Sequence, residues 1–284
     1  MSPRTADRIA TLIFWALGVI GTGILVFIIA QIFARGLLTA LDPSFLFGKP
    51  EAMSEGGGVL PMIVSTIYIT ILTLLIALPV SVGAAIYLAE YAREGRLTGA
   101  IRFSVDSLAS LPSIVFGLFG MTLFVITLGW GYSLMAGAFT LALLNLPTLL
   151  RSAEESIKAV PVTFREASIG LGASRWTTTR QVVLPVATPG IVTGIMLSVG
   201  RIMGESAAII YTAGLFIRNV SLNPMRTGAP LASYIWYAQT EALIPDYRRV
   251  VDGGAALLLL LVLLVNFGAR RLGRYYQSRN LPKG

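Results

Sequence analysis

The chain has 284 residues, of which 55% are hydrophobic and only 13% are charged, and it contains no histidine and no cysteine. Soluble globular proteins carry roughly 25% charged residues, so this composition is too apolar for a water-facing surface and indicates an integral membrane protein. The missing residue types exclude disulfides, Cys-ligated metal sites and Ser-His-Asp catalysis. No lysine follows the glycine pattern of a phosphate-binding P-loop. The net charge of +8 remains to be explained.

Six uncharged or nearly uncharged apolar runs predict transmembrane helices. They cover approximately residues 9–34, 60–88, 107–127, 133–150, 189–216 and 250–269. At ~1.5 Å rise per residue, helices of this length match a hydrocarbon core about 30 Å thick. The first run is longer than the apolar core of a cleavable signal, which predicts a retained anchor. We therefore predict an all-α, polytopic membrane protein with one transmembrane domain, 1–284.

The net positive charge lies on one side of this predicted membrane domain. With the amino terminus inside, the inner segments are 1–8, 90–106, 151–188 and 270–284. These segments hold more than twice as many basic as acidic residues, whereas the outer loops hold equal numbers. This distribution follows the positive-inside rule and predicts that both termini are cytoplasmic. It also argues against nucleic acid as a partner, because the basic residues flank the spans.

The inner loop 151–188 is unusually long, and long loops in compact domains are commonly functional. We predict two short helices within it. Thr163 is expected to cap the first, with Glu166 three residues later, and Gly170 and Gly172 are expected to end it. The second is expected to start near Ser174 and to end at Leu184–Pro185. From these features alone, an amphipathic helix lying on the lipid surface is an alternative.

This loop resembles a known motif. Glu166-Ala167-Ser168, then Gly172, then Val182-x-Leu184-Pro185 is similar to the EAA motif of ABC-importer permeases, with Ser for the second Ala and Val for Ile. The resemblance implies that the helix docks into a cleft on a cytoplasmic ATPase. Small residues would allow close approach, and a link to the next span would transmit movement. The predicted coupling residues are Glu166, Ala167, Ser168, Gly170, Gly172, Leu184 and Pro185.

Two charges interrupt the fifth apolar run. Arg201 is expected near the bilayer midplane, and Glu205, four residues later, is expected on the same helix face. Charges at such depth normally face the bundle interior or a water-filled path. A structural pair that only neutralises itself is one interpretation. The other is an anion path, since the arginine fork suits phosphate or sulfate oxygens.

Several segments together are similar to the phosphate-specific ABC transporter permeases. They are Leu111 to Leu118, Arg201 to Ala207, Gly57-Gly58 and Ile86 to Tyr91. Their order most resembles the PstA-type subunit, which implies the MetI-like fold. It also implies four kinds of neighbour: a second, C-type permease, two copies of an ATPase, a periplasmic phosphate-binding protein and membrane lipid. Arg201 and Glu205 match positions that matter for translocation in that family.

The expected function is therefore that of a non-catalytic permease subunit of an ATP-driven phosphate importer in the bacterial inner membrane. No cofactor is expected in this chain, because the partner ATPase would bind ATP. A permease for sulfate, molybdate or phosphonate is an alternative, since those permeases share the loop motif. A secondary anion transporter is a further alternative, although it would need no ATPase-docking motif. Segment 223–246 matches no motif.

Overall fold

The computed structural model describes residues 3–51, 57–241 and 246–280, and these residues form helices and connecting segments with no strand among them. Residues 242–245 of the unassigned segment and 281–284 of the predicted inner tail lie outside this description. The helices are α1 Pro3–Ala40, α2 Pro43–Phe47, α3 Leu60–Ile86, α4 Arg96–Ala109, α5 Ser113–Gly120, α6 Leu134–Lys158, α7 Val162–Gly170, α8 Arg175–Thr178, α9 Leu184–Gly204, α10 Ala207–Ile210, α11 Leu231–Glu241 and α12 Tyr247–Asn280. Three π-helical segments extend them, Tyr87–Tyr91 after α3, Met121–Thr127 after α5 and Thr179–Val183 between α8 and α9.

Five helical stretches in the described chain are long and apolar enough to cross a membrane. They are Asp7–Ala40, Leu60–Tyr91, Leu134–Lys158, Arg175–Gly204 and Tyr247–Arg271, and a bent helix pair, 96–109 with 113–127, would make a sixth. The predicted runs 9–34, 60–88 and 250–269 fall inside helices, and 133–150 coincides with the greater part of α6. The runs 107–127 and 189–216 do not correspond to single helices.

The third predicted span is broken rather than continuous. α4 and the helix that starts at Ser113 meet at 99°. Pro112 lies at this corner in an extended conformation (φ −60°, ψ 143°), and proline both lacks an amide proton and disfavours helix in the residue before it. The interval that the sequence analysis took as one helix, 107–127, is therefore the end of α4, a corner, and α5 with its π-helical extension.

The fifth predicted span starts earlier and ends earlier than expected. One helical stretch runs from Arg175 to Gly204, so Leu184–Pro185 does not end a helix as predicted. The π-helical turn before it carries the hydrogen bond from the Leu184 amide to the Thr179 carbonyl. This wider turn directly precedes Pro185, which has no amide proton to donate. At the other end, Glu205 is extended (φ −75°, ψ 127°) and stops the helix.

α3 and α6 form the centre of the bundle, α9 packs on α6 and α12, and α1 packs on α12. Glycines allow α9 to approach α6 closely, because a Cβ on Gly190 or Gly194 would overlap Ser156 or Ser152. Glycines at helical spacing commonly allow close contact between membrane helices in this way. By contrast, the apolar stretch of α1 is not buried against the rest of the described chain.

The segment between α10 and α11 closes the outer end of α6. The amide of Leu134 donates to the Arg226 carbonyl at 3.0 Å, and the amide of Met135 donates to the Pro224 carbonyl at 2.8 Å. The first N–H groups of a helix have no partner inside that helix, so this segment supplies them. Part of the segment that sequence analysis left without a role, 223–246, therefore caps α6 and continues into α11.

Candidate coupling and translocation sites

α7 carries the predicted coupling motif and begins one residue earlier than the expected cap. Pro161 is the N-cap residue, and no side chain makes a capping hydrogen bond there. The prediction that Thr163 caps this helix is therefore wrong. The reason is Pro161, whose extended backbone (φ −55°, ψ 140°) leads directly into the helix and places Thr163 within the first turn.

Gly172 ends α7 in the left-handed conformation, with φ +85°. Its amide donates to the Ile169 carbonyl at 2.9 Å, and the amide of Ala173 donates to the Ser168 carbonyl at 3.2 Å. These two bonds form a Schellman motif, which satisfies the last carbonyls of a helix and favours glycine at the left-handed position. The backbone conformation at this position therefore gives a direct reason for the glycine of the motif.

The face of α7 that carries the motif residues is open to solvent in the isolated chain. Glu166, Ala167 and Gly170 are exposed, and no other part of the described chain lies within 4 Å of a Cβ placed on Gly170. Two larger apolar residues stand beside them, Ile169 at 51% and Leu171 at 90% exposure. Small and apolar side chains with one carboxylate form a surface that suits a protein partner.

Ser168 has a different position from the other coupling residues. It is half-buried, and its hydroxyl lies 2.9 Å from the hydroxyl of the buried Thr178 in α8. Because α8 continues without a break into α9, this contact joins α7 to the long helix. Leu184 and Pro185 are half-buried within that helix and are part of the connection between the loop and the membrane.

Sequence analysis did not find the residue that holds α7 in place. Arg165 donates from Nε and Nη2 to Oε1 of Glu90, at 3.0 and 2.7 Å. It also donates from Nη1 to the Val160 carbonyl at 2.6 Å and from Nη2 to the Ile157 carbonyl at 2.8 Å. No local pattern predicts a pair 75 residues apart, although an arginine next to the motif glutamate was a visible signal.

Further ion pairs connect α4 to α6 close to this site. Glu154 on α6 accepts from Arg102 on α4 at 3.0 Å, and Arg151 on α6 contacts Asp106 on α4. Within α6, Glu154 also accepts from Lys158 at 2.6 Å. Sequence analysis treated these charges only as indicators of topology. In the structure they fix the amphipathic α4 against the end of α6 that leads into α7.

Arg201 lies in the last turn of α9 and is exposed in the isolated chain. Its Nη1 donates to the hydroxyl of Thr148 on α6 at 3.3 Å. In the part of the chain that the structure describes, no carboxylate forms a salt bridge with it. Within the described chain its guanidinium is therefore held by a neutral hydroxyl.

Glu205 lies just beyond the end of α9 and forms no salt bridge with Arg201 in the part of the chain that the structure describes. The helix stops at Gly204, and the half-buried Glu205 lies two residues before the start of α10. Its Oε1 accepts a hydrogen bond from the Ala208 amide at 3.3 Å, at the start of the short helix α10. A carboxylate next to free amide groups at a helix start is favourable, and this competing interaction replaces the pairing with Arg201.

Comparison with known proteins agrees with this architecture. The family model described as "Binding-protein-dependent transport system inner membrane component" matches residues 81–281. Among solved structures, a chain of the inward-facing methionine ABC transporter MetNI has a TM-score of 0.58 and 23% identity, over 77% of this chain and 94% of that chain. At this identity the likeness concerns the fold alone.

Two curated relatives match nearly the whole chain. A protein of Bacillus subtilis named "Probable ABC transporter permease protein YqgI" is 39% identical over 96% of this chain and 97% of its own length. The "Phosphate transport system permease protein PstA 1" of Mycobacterium tuberculosis is 34% identical over 94% of this chain and 88% of its own length. The chain therefore belongs to the family of binding-protein-dependent transport inner-membrane components, as an integral permease subunit of the ABC-importer class.

Proposed function

We propose that this permease imports phosphate, with Arg201 in the translocation path. The observation that carries the proposal is the exposure of Arg201 on a membrane helix. An unpaired charge facing lipid is costly, so such a residue normally faces a bundle interior or an aqueous path. The bidentate donor fork of arginine suits the oxygens of phosphate, and one curated relative is named as a phosphate permease.

Two buried polar atoms support a polar path between α6 and α9. Asn145 Oδ1 and Ser198 Oγ are buried, and neither has a hydrogen-bond partner within the described chain. Asn145 lies three residues before Thr148, and Ser198 lies three residues before Arg201. Each is therefore about one helical turn from the Arg201–Thr148 contact. Buried polar groups are nearly always hydrogen-bonded, so these atoms mark a place where water, substrate or another state of the helices supplies a partner.

The proposed partners follow from the exposed surfaces. The open face of α7, with Glu166, Ala167, Gly170 and Gly172, would dock on one of two cytoplasmic ATPase subunits. Ser168, Leu184 and Pro185 would connect that face to α9. The unburied α1 and the face around Arg201 would be covered by lipid and by a second, C-type permease. A periplasmic binding protein would deliver phosphate from outside.

In this assembly the chain has no catalytic role and holds no cofactor of its own, because ATP binds to the partner ATPase. The proposed cycle begins when the ATPase dimer closes on ATP and displaces α7. The bundle then opens outward, and phosphate enters a path that includes Arg201. Glu205, at the break after α9, would position the start of α10 beside that path.

The substrate is tested by competition. The permease is reconstituted with its partner permease, ATPase and binding protein, and ATP-driven uptake of labelled phosphate is measured with excess unlabelled phosphate, sulfate, molybdate or phosphonate. Uptake of each of the other oxyanions in labelled form is measured separately. We expect only unlabelled phosphate to suppress uptake. Stronger uptake of another labelled oxyanion would assign that substrate instead, and uptake driven by an ion gradient without ATP would support a secondary transporter.

A further inference from the structure

Arg165 uses its guanidinium group to join the cytoplasmic ends of two different helices. Two of its nitrogens contact the Glu90 carboxylate, in the π-helical segment that extends α3. Two also contact the carbonyls of Ile157 and Val160, at the end of α6 and just beyond it. Carbonyls at a helix end lack partners inside that helix and attract cations, so one side chain satisfies both sites.

Both side chains of this pair are largely protected from solvent, whereas every other ion pair of this region has at least one side chain more than a third exposed. The side chain of Arg165 is 20% exposed and that of Glu90 is 12% exposed, compared with 49% and 46% for Arg151 and Asp106. Ion pairs on the surface contribute little, and partial burial strengthens both the attraction and the geometric constraint. The neighbouring Glu166, in contrast, points to solvent.

α7 is therefore attached at both of its ends. Arg165 joins its first half to α3 and α6, and Ser168 joins its second half to Thr178 and thus to the helix that continues into α9. A displacement of the open face of α7 would therefore be transmitted to three spans, α3, α6 and α9. Without Arg165, only the connection through Ser168 and the chain itself would remain.

We propose that Arg165 is a positioning residue that, together with Glu90, makes α7 move as one body with α3 and α6 during ATP-driven transport. This inference rests on the proposed function of α7 as the ATPase-docking helix. Arg165 touches neither substrate nor ATP in this account. Its role is to convert displacement of the docking face into displacement of the spans.

The test measures how much anion is imported per ATP hydrolysed in the reconstituted complex. Arg165→Ala should leave the exposed docking face intact, so the ATPase should still bind and hydrolyse ATP. We expect anion uptake per ATP to fall about tenfold, equivalent to about 1.4 kcal/mol of lost linkage. Arg96→Ala, which removes an exposed arginine nearby, serves as the matched control and should leave the ratio unchanged.

A milder pair of variants keeps the test valid if Arg165→Ala does not assemble. Glu90→Gln retains size and removes the charge, whereas Glu94→Gln makes the same change at an exposed position four residues later, beyond the helical segment. We expect Glu90→Gln to lower uptake per ATP and Glu94→Gln to leave it unchanged. An unaltered ratio in Glu90→Gln would overturn the proposal.

A distance measurement separates linkage from a general structural role. The chain has no cysteine, so nitroxide labels on Val162→Cys and Arg93→Cys, in a complex with cysteine-free partners, report the spacing between α7 and the end of α3. We expect this distance to stay constant when ATP is added to wild type, and to change in Arg165→Ala. A wild-type distance that changes with ATP would overturn the proposal. Absence of ATP-driven uptake of any oxyanion by wild type would instead contradict the proposed function.

Discussion

Arg201 on α9 and Thr148 on α6 are joined by a hydrogen bond of 3.3 Å from the guanidinium to the hydroxyl. This contact orients a cation that has no salt-bridge partner in the described chain. Thr148 was not among the residues that sequence analysis selected. Under the proposed function, Thr148 would orient the Arg201 guanidinium for an anion without neutralising its charge.

Thr148→Val tests that orientation, because it removes the hydroxyl and preserves the branched shape. A neutral hydrogen bond contributes about 0.5–1.5 kcal/mol, so the KM for phosphate uptake should rise by up to about tenfold. Thr148→Ser retains the hydroxyl and should remain close to wild type. Equal KM values for the Val and Ser variants would show that this hydroxyl does not position Arg201.

Exchange of the two intramembrane charges tests whether Arg201 and Glu205 act as a pair. If the two side chains formed an ion pair, the double variant Arg201→Glu/Glu205→Arg would restore it with the charges exchanged. In this structure, however, Glu205 contacts the Ala208 amide instead. We therefore expect no recovery of phosphate uptake relative to Arg201→Glu alone. Recovery to near wild-type uptake would indicate that the two charges do meet during transport.

Gly172→Ala tests the left-handed end of α7. A residue with a Cβ at φ +85° costs roughly 1–2 kcal/mol, so the docking face should lose its fixed shape. Co-purification of the ATPase and its stimulation should both decrease. Gly99→Ala makes the same change in the helical backbone of α4, with open space around it, and should retain both. If the two alanine variants behave alike, the left-handed turn is not what docking requires.

Asp42, just after α1, forms an ion pair with Arg249 near the start of α12. This ion pair is one of the contacts that affect the pKa of Asp42. Hydrogen bonds from Ser44, and then the Arg249 guanidinium at 2.9 Å, hold the pKa of Asp42 below its ordinary value of 3.8. A lowered folded-state pKa stabilises the fold above the unfolded-state value, and this contribution is lost as the pH falls through the lower value.

Asp42→Asn should therefore lower the Tm of the purified protein at neutral pH. The difference from wild type should shrink as the pH falls below 3.8, because protonation of Asp42 makes the two proteins alike at this site. Thermal unfolding in detergent between neutral and acidic pH provides the measurement. A difference that stays constant over the whole range would rule out the carboxylate charge as its cause.

Hydropathy alone located the apolar stretches, because membrane helices need long uncharged runs. It did not locate the breaks at Pro112 and Gly204, since a run of apolar residues looks the same whether its backbone is straight or bent. The proline and the glycine were visible in the sequence. Their effect depended on which competing contacts formed, such as the bond between Glu205 and Ala208.

Helix α7, which carries the motif, was the most predictable part of the candidate sites, because the motif is local and its ending glycine has a direct backbone reason. The Arg165–Glu90 pair was not predictable from a single sequence. Its residues lie on separate elements, and each also fits a charged position flanking a span. Pairing of this kind depends on the arrangement of three helices, which periodicity does not determine.

The most direct test of the proposed function is ATP-driven uptake of labelled phosphate into proteoliposomes that contain the complete complex. Wild type and Arg201→Gln are compared at equal complex content, confirmed by co-purification of the ATPase. We predict rapid uptake by wild type and essentially none by Arg201→Gln, although the complex assembles. Normal phosphate uptake by Arg201→Gln would contradict the assignment of Arg201 to the path, and no phosphate uptake by wild type would contradict the proposed function itself.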